Sequence, residues 1–386
     1  MKNLLYINPL RKRKYIKILA FGLIGLIFGT VYAFIEKGLL GHLDHYPSTG
    51  NPYNFYQNSL STIIQSGVMG IILGSTEVLL LDKFFSKSSF VVKFFFKSLI
   101  YISAILICVA LFSVLSSSIV LGISLFNPVI FRNMLAFFTD VGFWSIMLYT
   151  GIIFSFVIFL SEMSDHLGQS VLKNFLLGKY HKPREEERIF MFLDIKSSTT
   201  FAEQLGHVKY FKFLNEYYVD ITKAIINTGG EIYQYVGDEV IATWSLEDGI
   251  RNNNCLRCFF MSKSIINSHT KKYLKDFDLV PEFKAGLHYG HVSTGRIGVV
   301  KKEIVFTGDV LNTTARIQNT CNHYETDLLV SLDLIQKLNL HDKYETNEVG
   351  DCKLKGKDKR LKLFTVKEAT PEIEFISKSI FKLQAL

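Results

Sequence analysis

The sequence predicts two fold classes in one chain: an all-α transmembrane domain of four helices, then an α+β domain built on a mostly antiparallel sheet with helices on its faces. Three observations predict this. Four stretches reach the length of about 20 apolar residues that a bilayer demands. Charge is concentrated after about residue 160, although the chain as a whole is 48% hydrophobic with a net charge of +8. Beyond that point short alternating runs interleave with segments of helical period.

The spans are expected at Ile18 to Ile35, Ser59 to Leu81, Ser98 to Leu121 and Val141 to Leu160, giving a membrane domain over residues 1–160. The first is too long, and lacks the small-residue cleavage site, to read as a removed signal peptide. Arg11, Lys12, Arg13 and Lys14 precede it, and Lys83, Lys87, Lys93 and Lys97 fill the link between the second and third spans. The other links carry chiefly Lys37 and Arg132. This bias places the N-terminus, and after an even number of spans the charged half, in the cytoplasm of an inner-membrane protein. Topology and membrane lipid explain the basic excess, with no nucleic-acid partner.

His42 to Gln57, with Pro47, Gly50 and Pro52, reads as an extracytoplasmic loop, and Asn127 to Asp140 as an amphipathic interfacial helix or an extension of the fourth span. Glu77 is the one charge inside a span; near Asp82 and Lys83, it reads as reaching water at the cytoplasmic end. The five cysteines are odd in number and scattered, which argues against a disulfide framework. Cys255 and Cys258 have metal-site spacing but lie in a helical pattern without a second pair, and read as packing.

Met163, Leu167, Val171, Leu172, Phe175 and Leu176 recur at helical spacing, so residues 161–186 are expected to be a stalk that pairs with its twin in a homodimer. Gly178, Pro183 and the charged run Arg184 to Arg188 mark its end. Residues 187–368 form the second domain, and 369–386 a tail. Its strands are expected at Arg188 to Leu193, on both sides of a Val236-Gly237-Asp238-Glu239 tip, at Phe283 to Tyr289, Val292 to Ile297, Glu303 to Thr307, Asp327 to Val330 and Leu361 to Val366. Helices are expected at Thr199 to Thr228, with Phe201, Leu205, Phe211, Leu214, Tyr218 and Ile221 as the apolar stripe, at Asn252 to Lys275 and at Val310 to Thr320.

Two carboxylates stand out. Asp194 ends the apolar run Ile189-Phe190-Met191-Phe192-Leu193, and Asp238 sits on the hairpin tip. A strand end and a turn that each carry an aspartate can hold two divalent cations a few ångströms apart, the arrangement used to clamp attacking and leaving oxygens in phosphoryl and nucleotidyl transfer. Ser197, Ser198 and Thr199 precede a helix, whose free N–H groups suit phosphate. Asn312 and Arg316, four apart on a helix, share a face.

Four segments in this order resemble the class III nucleotidyl cyclase catalytic domain: Leu193-Asp194-Ile195-Lys196-Ser197-Ser198-Thr199, Gly229-Gly230-Glu231 with Val236-Gly237-Asp238-Glu239, Gly308-Asp309-Val310-Leu311-Asn312-Thr313-Thr314-Ala315-Arg316, and Leu354-Lys355-Gly356-Lys357. The resemblance covers about Arg188 to Val366 and implies a ferredoxin-like core. It implies that Asp194, Asp238 and the Ile195 carbonyl ligate two Mg²⁺ or Mn²⁺, that Asn312 positions the ribose, that Arg316 stabilises charge on the transferring phosphate and that Lys355 grips the terminal phosphates. It also implies a site shared between two domains, hence a homodimer, and cyclisation of a nucleoside triphosphate with loss of pyrophosphate.

Ser197 and Ser198 stand where the family usually has Gly and Phe, and His291 where many members carry a phosphate-binding Arg. His288, on the same strand, reads as packing. Base selection departs furthest. Gln234 replaces the usual Lys of adenylate-forming members, and Val305 the usual Asp or Thr; the Glu and Cys of guanylate-forming members are also missing. An amide donates and accepts together, which suits adenine and also a pyrimidine edge. ATP is the favoured substrate, CTP, UTP or GTP the alternatives, and a catalytically silent nucleotide-binding receptor the reading from another class.

Overall fold

The computed structural model describes residues 9–47, 50–85, 88–167, 182–299, 303–340, 343–353 and 360–369. Outside them lie most of the expected stalk, the loop carrying Lys355 and the tail beyond Ala369. The chain forms two compact units, a helical one and a sheet domain.

The helical unit contains α1 (Pro9–Leu40), α2 (Phe55–Thr76), α3 (Phe90–Leu121), α4 (Pro128–Thr139) and α5 (Val141–Leu167). Four helical stretches are long and apolar enough to cross a membrane: Lys14–Leu40, Phe55–Phe84, Phe90–Leu121 and Val141–Met163. Phe21, Leu73, Tyr101, Ile105, Phe154 and Ile158 pack in the bundle centre, whereas Leu80, Phe95 and Leu148 point outward. Glycine lets α1 and α2 approach closely. A Cβ at Gly22 would lie 2.8 Å from Ile71, and one at Gly70 would lie 3.0 Å from the Gly22 Cα. α4 is a separate helix: the Asn127 side chain caps its start, and Asp140 is extended at its end.

Two expectations change here. Lys93 and Lys97 lie inside α3, not in a link, because the helix begins at Phe90. Glu77 does not reach water. It is fully buried, in a π-helical turn (Glu77–Leu81) that continues α2. Lys97 Nζ donates to Glu77 at 2.7 Å and to Glu162 at 2.5 Å, and the Tyr101 hydroxyl donates to Glu77 at 2.7 Å. Lys17 pairs with Asp82 at 3.1 Å. All four long helices therefore join one charge network, in which each buried ion has partners.

The sheet domain contains β1 (Arg184–Ile195), α6 (Ser198–Asn227), β2 (Glu231–Val236), β3 (Glu239–Ser245), α7 (Leu246–Ile250), α8 (Asn254–Ser268), α9 (Thr270–Phe277), β4 (Phe283–Ile297), β5 (Glu303–Thr307), α10 (Asp309–Thr320), β6 (Leu328–Ser331), α11 (Leu332–Ile335), β7 (Tyr344–Lys353) and β8 (Arg360–Glu368). The strand order is β2-β3-β1-β4-β6-β8-β7, with β5 paired to the end of β4. Every pairing is antiparallel except β4 with β6.

Alternation along β1 separates the two faces. Ile189, Met191, Leu193 and Ile195 enter the main core with Phe213, Tyr217, Leu256 and Phe259 of α6 and α8. Phe190 and Phe192 enter a second cluster with Phe306 and with Val310 of α10. Asp194 continues this second series, so the period of two aims it at the α10 face.

Several elements differ from expectation. β4 is one strand of 15 residues, because its whole length pairs with β1 and β5. The helix expected over Asn252 to Lys275 breaks at His269. Gly206 (φ 68°, ψ 163°) interrupts α6; of the expected stripe Phe201, Leu205, Leu214, Tyr218 and Ile221 pack in the core, joined by Phe213 and Tyr217, whereas Phe211 is 73% exposed. β7, unexpected from the sequence, is an edge strand with a bulge at Gly350.

Candidate active site

Three carboxyl groups meet at one end of the sheet. β1 delivers Asp194, and the β2–β3 hairpin delivers Asp238 and Glu239. The hairpin turns on Gly237 and Asp238, with Gly237 at φ 63°, a left-handed conformation that glycine adopts without strain. The Tyr218 hydroxyl of α6 donates to the Gly237 carbonyl and ties the turn down. The Tyr218 and Tyr235 rings, 4.5 Å apart, support it further.

The crowding shows in the acidities. Burial, then hydrogen bonding to Asp238 and its negative charge, push Asp194 above the usual carboxylate range, while Lys284 and Gln318 pull the other way. Burial and the charges of Asp194 and Asp238 push Glu239 up to about 7. The only cation beside Asp194 among the described residues is Lys284, at 3.4 Å. Gln318 Nε2 of α10 donates to Asp194 at 3.0 Å. Among the described residues no three His, Cys, Asp or Glu side chains are spaced to hold a metal ion by themselves; Asp194 and Asp238, in hydrogen-bond contact, offer hard oxygen donors for a divalent cation, with which the Lys284 ammonium would compete. Asp194, Asp238 and the Ile195 carbonyl are the residues that would hold it; Ile195 is the last residue of β1 and is buried.

Ser197 lies immediately beyond, at φ 56°, as the residue before α6. Its side chain does not cap the helix, so the first-turn N–H groups of Ser198 and Thr199 stay available to an anion. The family's usual glycine has a physical reason at this position: the left-handed backbone costs a side-chain-bearing residue roughly 1–2 kcal/mol.

The remaining residues stand apart. Gly286 of β4 lets α10 press on the sheet: a Cβ there would lie 2.8 Å from the Gln318 Cα. This contact aims Gln318 at Asp194. Arg316 precedes Gln318 by two positions, roughly 200° around a helix of 3.6 residues per turn, and so faces away. Asn312 shares the face of Arg316 and is exposed, and neither side chain has a hydrogen-bond or ion-pair partner among the described residues. Gln234 is exposed on β2 and pairs with Ile241; Val305 is half-buried on β5 opposite Gly295. His291 is 75% exposed and lies 3.5 Å from Glu187. In the β1–β4 ladder it is opposite Glu187 while Lys284 is opposite Asp194, so His291 is far along the strand from the carboxylates of its own domain. His288 is packing, with Nδ1 2.8 Å from the Ser331 hydroxyl. Cys255 and Cys258 are fully buried in the core.

Sequence reasoning missed Lys284, Gln318 and the role of Glu239. Lys284 carries a signal, a lone charge in the apolar run Phe283 to Leu287 on the alternation that faces Asp194. Gln318 carries none, since its contact depends on where α10 docks.

The domain thus places a carboxylate pair at a sheet end, a helix N-terminus beside it and an Asn–Arg face on a separate helix. Residues 180–368 match the family model of the adenylate and guanylate cyclase catalytic domain. The chain is 31% identical over 210 residues to adenylate cyclase 2 of Rhizobium meliloti (strain 1021), covering 54% of this chain and 58% of that protein. It is 26% identical over 184 residues to an adenylate cyclase of Anabaena cylindrica, covering 46% of this chain and 36% of that one. Thus the chain spans little more than half the length of the first relative and about a third of the second. Among solved structures, a bacterial light-regulated adenylyl cyclase matches 57% of this chain and 65% of its own at 21% identity, with a TM-score of 0.46.

Proposed function

We propose that this chain is a membrane-anchored, homodimeric class III cyclase that converts ATP to 3′,5′-cyclic AMP and pyrophosphate. In this reading residues 1–160 anchor it in the inner membrane, 161–186 form a transducing stalk, and 187–368 work in the cytoplasm. One observation carries the reading: Asp194, Asp238 and Glu239 converge at a sheet end, while α10 turns Asn312 and Arg316 away from them. Both halves of a site are present in one domain without facing each other, and a second copy supplies the missing half of each.

Divalent cations, two Mg²⁺ or Mn²⁺ held by Asp194, Asp238 and the Ile195 carbonyl, supply acidification of the attacking hydroxyl and neutralisation of the triphosphate when bound. The chain's own groups do the rest. The N–H groups of Ser198 and Thr199 hold phosphate oxygens. Asn312 fixes the ribose, and Arg316 meets the charge that grows on the α-phosphate. Lys355, with His291 as a further contact, grips the phosphates. The bond from the ribose 3′-oxygen to the α-phosphorus forms as the bond to the β-phosphate oxygen breaks. The 3′-hydroxyl proton passes to solvent water, and pyrophosphate leaves.

The relatives named adenylate cyclases support adenine. The exposed Gln234 amide offers both a donor and an acceptor to a base edge, and Val305 offers an apolar wall. Incubation of the full-length protein with each nucleoside triphosphate and Mn²⁺ or Mg²⁺, with the product identified by mass spectrometry, tests this. Cyclic AMP from ATP is expected. Product from CTP, UTP or GTP alone replaces the base assignment, and no product from any nucleotide leaves a silent nucleotide-binding receptor.

A further inference from the structure

The helical unit encloses a cavity of about 240 Å³ that no part of the catalytic reading uses. Beside the C-terminal half of α1 and the loop after it, Tyr32, Glu36, Tyr46 and Asn58 line the cavity. One Glu36 oxygen accepts a long hydrogen bond from the Tyr46 hydroxyl at 3.4 Å. The other, Oε2, is buried and has no hydrogen-bond partner among the described residues. No lysine or arginine among them pairs with this carboxylate. Tyr53, whose ring meets that of Tyr46 at 5.3 Å, is also buried with its hydroxyl unpartnered. Phe112, Phe154 and Ser116 line the cavity deeper in the bundle.

This wall of the cavity is built rather than loose. Tyr46 N–H donates to the Asn51 carbonyl at 2.9 Å and Tyr53 N–H to the Asp44 carbonyl at 2.8 Å, folding the loop after α1 into a cap. Asn133 of α4 donates to the Asn51 side chain at 3.3 Å and holds the cap from the other side.

A carboxylate oxygen buried without a donor, on a half-buried side chain, is costly unless something supplies a donor and a positive charge. Lys37 Nζ already lies 5.6 Å from the Tyr53 ring centroid, which leaves the rings of Tyr32 and Tyr46, both lining the cavity, to attract a bound cation. A cavity of about 240 Å³ has room for a small aryl-alkyl molecule. From the orphaned Glu36 oxygen, the tyrosines around it and the apolar depth below, we infer that this cavity is a binding site for a small amphipathic amine, with the ammonium at Glu36 and the apolar body between Phe112 and Phe154. The site is independent of the cyclase reading, because its test reads binding and not turnover.

Full-length protein in lipid nanodiscs is titrated by calorimetry with phenethylammonium and, in parallel, with neutral 3-phenylpropanol and anionic 3-phenylpropionate. The amine is expected to saturate one site and to bind on the order of tenfold or more tighter than either analogue, as a charge-assisted hydrogen bond implies. Glu36→Gln should erase that preference. Ser116→Phe, which fills the cavity and leaves the carboxylate in place, should weaken amine binding by a similar factor. Equal affinity for the three probes, a preference that survives Glu36→Gln, or no saturable amine binding overturns the assignment. Where Glu36→Gln fails to fold, the amine preference of the unaltered protein and the weakened amine binding of Ser116→Phe decide the question.

Discussion

Asp220 illustrates how a single residue can hold a fold together without touching the chemistry. It is 2% exposed on α6 and accepts from Lys223 at 2.8 Å and from Tyr273 at 3.0 Å, with His269 Nδ1 at 2.8 Å. Burial alone would raise its pKa; the hydrogen bonds from Lys223, His269 and Tyr273 outweigh this and hold it below the usual carboxylate range. The sign follows. A depressed folded-state pKa contributes stability that is complete above the unfolded value of about 3.9 and is lost as pH falls through the folded value. Asp220→Ala should therefore destabilise the α6–α9 contact by about 1–3 kcal/mol at neutral pH, chiefly by leaving the buried Tyr273 hydroxyl without its acceptor. Hydrogen–deuterium exchange of α6 and α9 amides reads this, and the gap between variant and parent should close in acid. A gap independent of pH would remove the charge from the explanation.

At the scale of elements, what the sequence could predict depended on whether a pattern was local. The four apolar spans, the carboxylate at the end of β1 and the glycine-led hairpin are local, and each was legible. One residue of the α6 stripe was not, since beyond the left-handed backbone at Gly206 it is Phe213 and not Phe211 that is buried. Nor was the environment of Glu77, since Lys97 belongs to a different helix. That contact has a measurable consequence. Lys97→Met leaves two carboxylates buried without their shared ammonium and should weaken the bundle by about 3–5 kcal/mol, with most of the loss recovered by adding Glu77→Gln and Glu162→Gln. Unfolding in mixed detergent micelles measures both steps, and a single variant as stable as the parent would mean the network contributes nothing.

For the whole molecule, the division of one site between two copies is the testable feature. Asp194→Ala and Arg316→Ala should each lower turnover by at least about a hundredfold, the scale of losing one transition-state contact. Mixed together, they should recover part of the activity, because one of the two shared sites regains an intact set. An inactive heterodimer, verified by differential tagging, would place both sets in a single-domain site instead. By itself the sequence determined the helices apolar enough for a membrane, the order of strands and helices around Asp194 and Asp238, and the family match of residues 180–368, since each depends on residues adjacent in the chain or on a spacing of two or about four. Only the tertiary structure decided that Lys284 and Gln318 attend Asp194, that Arg316 faces away from it, and that Glu36 opens on a cavity. Those facts depend on how elements distant in sequence dock, and docking is set by side-chain volume and buried charge summed over many contacts rather than by any run of residues.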